Sequence, residues 1–289
     1  MPTFLLILVT IVWGSTFVII KDTVRSVDPF FIVFGRLGIA ALAMTGFLAV
    51  KDWRLLADRR AWRRGALLGC LLAVIYGSQT IGLEFTSSGH SAFITSAAVA
   101  VVPVLLFLGF GERVSRPQGA SILAVLAGLF LLTYDFTTKV NPGDAITLVT
   151  AAAYATHVVL AGRFVRTTAA LPLIQAQFTV AALVSLVAWL GGGGQAWTPG
   201  RNGALALVYL GLAGTLFCYF VSVWAQKFVS SVKVALVFAL EPLFAAAFGF
   251  LFLRERLSLR EGFGGVLMLA GILWHQWLSA RPGERAEPR

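Results

Sequence analysis

The stretch 76–88, YGSQTIGLEFTSS, returns 143 positions later as 219–231, YFVSVWAQKFVSS. Tyr76, Phe85, Ser87 and Ser88 fall on Tyr219, Phe228, Ser230 and Ser231. The same shift lays Glu112-Arg113 on Glu255-Arg256, Ser115 on Ser258, Gly119 on Gly262, and Leu126-Ala127-Gly128 on Leu269-Ala270-Gly271. Between 76–132 and 219–275, 14 of 57 ungapped pairs are identical. Each copy holds five apolar spans. An odd number of crossings inverts the second copy in the membrane, and inverted repeats place a solute site at their interface.

Composition sets the class. With 58% apolar residues, 12% charged residues and a mean hydropathy of +0.85, the chain is no soluble domain. A bilayer core about 30 Å thick needs roughly 20 apolar residues per helix. Ten stretches qualify: approximately 3–20, 30–50, 65–83, 91–110, 118–134, 145–161, 171–190, 203–224, 232–253 and 262–280. The expected fold is therefore all-α, a polytopic membrane protein with ten transmembrane helices arranged as two inverted five-helix repeats. Residues 1–140 form the first repeat, 141–280 the second, and 281–289 a polar C-terminal tail. The segment 51–64 reads as the one long loop. The N-terminal apolar run lacks a basic n-region and a small-residue cleavage site, so it reads as the first span and not as a signal peptide.

The net charge of +10 invites a nucleic-acid reading, but the basic residues sit at span ends. If the N-terminus is cytoplasmic, 15 Lys and Arg fall on inner segments and 7 on outer ones, with Arg36 inside span two. The positive-inside rule then puts both termini in the cytoplasm, although Arg254, Arg256 and Arg260 oppose it. Arg outnumbers Lys 18 to 5, as in a GC-rich bacterial genome. The expected partners are a small-molecule substrate and the lipid bilayer. No nucleic acid is expected, and the oligomeric state is expected to be a monomer.

Soluble-enzyme signatures are absent. There is no phosphate-binding G-x-x-x-x-G-K-[ST], no H-E-x-x-H and no G-x-G-x-x-G after a strand. Three histidines, His90, His157 and His275, build no metal cluster, so neither metal nor cofactor is expected and no enzyme activity is read. Cys70 and Cys218 read as small buried residues within spans. Trp53, Trp62, Trp189, Trp197, Trp274 and Trp277 lie at span ends, as interfacial tryptophans do.

Polar residues inside spans are expensive in lipid and so mark function or helix pairing. In span three, Tyr76, Gln79 and Thr80 fall on one helical face. Their counterparts in span eight include Tyr219 and Ser222. Span one offers Thr10, Trp13, Thr16 and Phe17 on one side, and span six Thr150, Tyr154 and His157. A mid-span Trp needs a partner for its indole N–H and can stack on a planar solute. His157 fits either a buried hydrogen bond or solute binding. Two charges lie deep: Arg36 in span two, a candidate for snorkelling or carbonyl pairing, and Glu241 in span nine. Glu241 precedes Pro242, which removes an intrahelical bond, so the pair is a candidate coupling site or a structural helix break. Pro103 in span four sits one turn from the equivalent position, and both fourth helices are expected to kink there.

These residues carry a resemblance. Trp13-Gly14-Ser15-Thr16-Phe17, then Lys21, Asp28-Pro29 and Arg36, are similar to the opening of the drug/metabolite transporter superfamily, EamA branch. Leu240-Glu241-Pro242, Gly249 and Glu255-Arg256-Leu257-Ser258 followed by Gly262 resemble that family's last two helices. The resemblance implies a cytoplasmic-membrane exporter of small metabolites, often amino acids, working by alternating access. Within the family, the aromatic residues suit a YddG-like aromatic amino acid exporter. Tyr154 and His157 match no family signature. The expected lining is Trp13, Thr16, Tyr76, Gln79, Thr80, Tyr154, His157, Tyr219 and Ser222. The alternatives are a carrier of drugs or nucleotide-sugar-like metabolites, or a membrane sensor or scaffold without flux.

Overall fold

The computed structural model describes residues 2–133, 141–194, 200–253 and 258–280, and within them every regular element is helical. The first five spans are α1 (Pro2–Thr23), α2 (Pro29–Asp52), α3 (Arg59–Phe85), the pair α4 (Ser88–Ser96) and α5 (Ala98–Phe110), and α6 (Arg116–Thr133). The next group is α7 (Pro142–Val165), α8 (Ala170–Gly191), then α9 (Arg201–Gly211) and α10 (Cys218–Ala225) joined through a π-helical segment, Leu212–Phe217. The pair α11 (Ser231–Phe238) and α12 (Glu241–Leu253) follows, and α13 (Leu259–Ala280) closes the chain's helical part.

Among the described residues, eight continuous or broken helices, from Pro2–Thr23 to Ser231–Phe248, are long and apolar enough to cross a membrane, and Arg116–Leu132 is a shorter apolar helix. Their outer faces are greasy: Leu42 is 76% and Leu108 74% exposed. In water such a surface would aggregate; against acyl chains it is the expected solvent boundary. The chain is thus an all-α, multi-pass membrane protein.

The repeated residues do repeated local jobs. Ser87 and Ser230 each cap a half-helix, accepting from the His90 N–H at 3.2 Å and the Lys233 N–H at 3.3 Å. Ser115 with Gln118, and Ser258 with Glu261, each form a reciprocal capping box at the start of α6 and α13, satisfying amides that no helical carbonyl reaches. Gly128 and Gly271 sit where α6 and α13 touch. A Cβ on Gly128 would lie 2.6 Å from the Gly264 carbonyl oxygen, and one on Gly271 3.1 Å from that of Ser121. Small residues permit this backbone approach in a bilayer, where helices associate by close packing. The other main packings are α3 on α7 and α8, α2 on α8, and α1 on α12 and α10.

Three expectations need correction. The segment 51–64 is not a loop: a short 3-10 turn, Trp53–Ala57, leads straight into α3 at Arg59. Asp58 stops the turn and starts the helix, accepting from the amides of Arg60 and Ala61 at 2.9 and 3.0 Å. Cys70 is exposed, and only Cys218 is buried. The fourth span does not break at Pro103, which lies inside α5. The interruption is at Ala97, whose N–H is shared between the carbonyls of Phe93 and Ile94. In the other half the break falls at Ala239 and Leu240, the residues onto which the shift carries Ser96 and Ala97. There Pro242 sits in the first turn of α12, where its missing N–H is tolerated. The tail 281–289 lies outside the described residues.

Candidate functional site

Helices α1, α3, α4, α7, α10 and α12 meet around a small cavity of about 20 Å³, lined by Trp13, Thr16, Ile75, Tyr76, Gln79, Thr95, Tyr154, Tyr219 and Glu241. That is room for about one water molecule. Ile75, Tyr76 and Gln79 reach it because they share one face of α3, and Trp13 and Thr16 because they lie three apart on α1.

The walls are aromatic and interlocked. The Trp13 ring stands edge-to-face against Phe238 at 4.9 Å, Tyr219 at 5.4 Å and Tyr154 at 5.9 Å. Tyr76 meets Tyr219 at 5.8 Å, and His157 meets Tyr219 at 5.3 Å. Such tilted pairs place a positive ring edge on a negative face and fix each ring's orientation. All these rings are buried.

The π segment is the anchor behind the wall. In it the Cys218 N–H bonds to the Ala213 carbonyl, five residues back, and the Thr215 hydroxyl donates to the Leu210 carbonyl at 2.8 Å. The Gly214 carbonyl oxygen takes two side-chain donors, the Trp13 indole N–H at 2.9 Å and the Tyr76 hydroxyl at 3.1 Å. One backbone atom therefore holds the aromatic residues of α1 and α3 together. π turns inside helices recur at functional sites for this kind of rearranged backbone bonding.

Arg36 packs directly behind Tyr76. Its guanidinium carbon lies 3.8 Å from the centre of that ring, and its Nε–H donates to the Thr215 hydroxyl oxygen at 3.0 Å. The side chain is 0% exposed, and Nη1 and Nη2 find no acceptor among the described residues. Glu241 opens α12 on the cavity side at 5% exposure. Among the described residues its carboxylate has no hydrogen bond or ion pair either, and it lies more than 4 Å from every basic nitrogen there. Its own carbonyl oxygen abuts Gly14, at 3.2 Å from where a Cβ would stand.

Of the residues expected to line the site, Trp13, Thr16, Tyr76, Gln79, Tyr154 and Tyr219 border the cavity, and so does Glu241, read from the sequence as a coupling or helix-break candidate. His157 stands one layer out, with its Nε2 3.0 Å from the Gln177 side-chain oxygen. Ser222 turns back to the Cys218 carbonyl at 2.6 Å and does not border this cavity. Thr80 is buried with its hydroxyl unpartnered, away from the cavity. Pro103 and Pro242 shape helices and do not face the cavity. Sequence reading missed Ile75, Thr95, Phe238, Gln177 and the Gly214–Thr215 pair. Thr95 becomes a lining residue only because its span breaks at Ala97, and a π turn leaves no periodic trace in a uniformly apolar helix.

Polar contacts tie the bundle at both ends. At the 51–64 end, Arg163 pairs with Glu112 and lies 4.1 Å from the centre of the Phe110 ring. At the other end, the Lys21 ammonium donates to the carbonyls of Leu83 and Thr86 at 2.5 and 2.8 Å. There Asp144 accepts from the Thr86 hydroxyl at 2.6 Å and faces His90 at 3.7 Å.

Comparison with known proteins gives a consistent picture. The model of the EamA-like transporter family matches twice, over residues 1–134 and 141–275. An uncharacterized transporter of Archaeoglobus fulgidus is 25% identical, covering 93% of this chain and 83% of its own. YdfC, an uncharacterized transporter of Bacillus subtilis, is 24% identical over 90% of this chain and 86% of its own. YedA, an uncharacterized inner membrane transporter of Escherichia coli, is 24% identical, with 91% and 87% covered. A solved crystal structure superposes with a TM-score of 0.80, covering 96% of each chain at 15% identity; at that identity the likeness is one of fold.

Proposed function

The chain belongs to the EamA-like transporter family, and we propose that it is a secondary transporter exporting small organic metabolites, first of all amino acids with aromatic or neutral side chains, by alternating access. The observation that carries this reading is the central cavity: an aromatic cage holding one carboxylate, between helices from both halves of the chain. Aromatic walls suit a solute with a planar or apolar body, and a few placed polar groups orient it. At about 20 Å³ the cavity is too small to hold such a solute. Transport requires it to widen toward one end and then the other, with the breaks at Ala97 and at Ala239–Leu240 as hinge points.

The working architecture in this reading is ten membrane helices in two inverted five-helix repeats, 1–140 and 141–280. Its supports are the 143-residue correspondence, the paired caps and the double match of the family model. Both termini face the cytoplasm, as the 15-to-7 distribution of basic residues favours, and the membrane is the bacterial inner membrane. The Glu112–Arg163 pair then closes the cytoplasmic end, and the Lys21 and Asp144 contacts the outer one.

Counterflow in proteoliposomes tests the function. The purified full-length chain is reconstituted, vesicles are loaded with each of the twenty amino acids, and uptake of the labelled amino acid is followed. Saturable counterflow of aromatic or neutral amino acids is the expected result. Vesicles that exchange nucleotide sugars or cationic drugs but no amino acid would overturn the substrate class. Vesicles that exchange nothing would point to a sensor or scaffold.

A further inference from the structure

We propose that Arg36 and Glu241 are the two charged ligands of a zwitterionic solute, the guanidinium receiving its carboxylate and the Glu241 carboxylate its ammonium. The assignment rests on the amino-acid reading above and sharpens it to an α-amino acid with both charges free.

The argument begins with unspent hydrogen-bonding capacity. Arg36 carries five N–H donors in a planar fork, and one of them, on Nε, is used, by Thr215. The four on Nη1 and Nη2 meet no acceptor among the described residues, at 0% exposure. The Tyr76 ring face at 3.8 Å attracts the cation but accepts none of those hydrogens in the plane of the guanidinium. A lone cation inside a bilayer-embedded bundle is costly, and such residues mark solute or ion paths. The group that matches a planar pair of N–H donors is a carboxylate, bound through two parallel hydrogen bonds.

Glu241 supplies the opposite charge when it is ionised. It lines the cavity at 5% exposure and has no donor among the described residues. Arg36 and Glu241 do not satisfy each other: no ion pair within 4 Å joins them. Yet both stand near Tyr76: the Arg36 guanidinium carbon lies 3.8 Å from its ring centre, and Glu241 lines the same cavity as Tyr76 and Tyr219. A solute with one negative and one positive group and an apolar body satisfies all three features together. A monoanion leaves Glu241 unmatched, and a monocation leaves Arg36 unmatched.

Tyr76 is the element between the guanidinium and the cavity. Its hydroxyl is held by the Gly214 carbonyl at 3.1 Å, a single neutral hydrogen bond. Releasing it lets the ring swing and opens Arg36 to the cavity. The charged ligand is thereby hidden while the cavity is small and offered when it widens.

The test uses the reconstituted full-length protein and three competitors of one body: the amino acid with the strongest counterflow, its carboxamide and its deamino acid. For phenylalanine these are L-phenylalaninamide and 3-phenylpropanoate. The unmodified protein is expected to prefer the amino acid over either analogue by at least about tenfold. Arg36→Gln is expected to erase the preference over the carboxamide and keep that over the deamino acid. Glu241→Gln is expected to do the reverse. Arg36→Lys, which keeps the charge and loses the fork, should retain part of the first preference. If Arg36→Gln does not fold, the competition series on the unmodified protein and on Arg36→Lys decides. Analogues that compete within about threefold of the amino acid overturn the assignment while leaving amino-acid transport intact. So do variants that leave both preferences unchanged. Absence of counterflow with all twenty amino acids overturns the amino-acid reading and this one with it.

Discussion

The guanidinium carbon of Arg36 stands 3.8 Å from the centre of the Tyr76 ring, and the hydroxyl of that same ring is tied to Gly214 on the π segment. Tyr76 thus has two separable roles, one for its face and one for its oxygen. Tyr76→Phe keeps the face and loses one neutral hydrogen bond, worth about 1 kcal/mol. Tyr76→Leu also loses the cation–π contact, worth about 2 kcal/mol more where both groups are desolvated. Denaturant unfolding in detergent should rank unmodified protein, Tyr76→Phe and Tyr76→Leu in that order of stability. Equal losses in the two variants would show that the ring face does nothing for Arg36.

Part of this site was legible in the sequence. Tyr76, Gln79 and Tyr219 announce themselves because polar atoms at helical spacing stand out in apolar spans and must be satisfied inside the bundle. The paired serines were visible as identities, but their work as helix caps needed coordinates. Thr95 and Thr215 were hidden for a physical reason. Each depends on a departure from the regular helix, the break at Ala97 and the π turn at Leu212–Phe217, and a pattern read at 3.6 residues per turn assumes no such departure. Ser222 shows the opposite error. Its position matches Gln79 under the shift, but its short side chain reaches its own helix carbonyl at Cys218 first.

Gly14 sets how closely α1 approaches the start of α12. A Cβ there would stand 2.9 Å from the Phe244 Cβ and 3.0 Å from the Ala245 nitrogen, both too rigid to yield. Gly14→Ala should destabilise by about 1–3 kcal/mol through overpacking and slow transport, since α12 carries Glu241. Gly77→Ala is the control, because nothing lies within 4 Å of its added carbon. Paired measurements of unfolding and counterflow should separate the two variants. A harmless Gly14→Ala would mean that this helix contact is not tight.

The orientation of the bundle is accessible to labelling. Ala57 is exposed in the 3-10 turn between α2 and α3. In a background carrying Cys70→Ser and Cys218→Ala, which removes both native thiols, an Ala57→Cys protein presents one accessible thiol. Six of the basic residues lie at 51–64, and their density predicts a cytoplasmic face. An impermeant maleimide should therefore label inside-out vesicles and spare intact cells. Labelling of intact cells would reverse the proposed topology.

Thr215 links the π turn to the buried charge, because one hydroxyl donates to the Leu210 carbonyl and accepts from Arg36 Nε–H. Thr215→Val keeps the shape and β-branching but strands both partners. The Leu210 carbonyl loses a donor that helps hold the π register, and Arg36 loses its one hydrogen bond among the described residues. Leaving a hydrogen bond to a charged group unmade at a buried site costs about 1.5–3 kcal/mol. Thr215→Ser keeps the hydroxyl and loses only a methyl, about 0.8 kcal/mol or somewhat more once the small cavity left behind is included. Thr215→Val should thus be the less stable of the two and should also transport more slowly, because a guanidinium without its tether no longer stays over Tyr76. In a double variant, Thr215→Val combined with Arg36→Leu should recover part of the lost stability, since the stranded charge is gone. Transport should stay low in that background, because the guanidinium is gone as well. A Thr215→Val protein as stable and active as Thr215→Ser would mean that the hydroxyl bridge holds neither the turn nor the arginine.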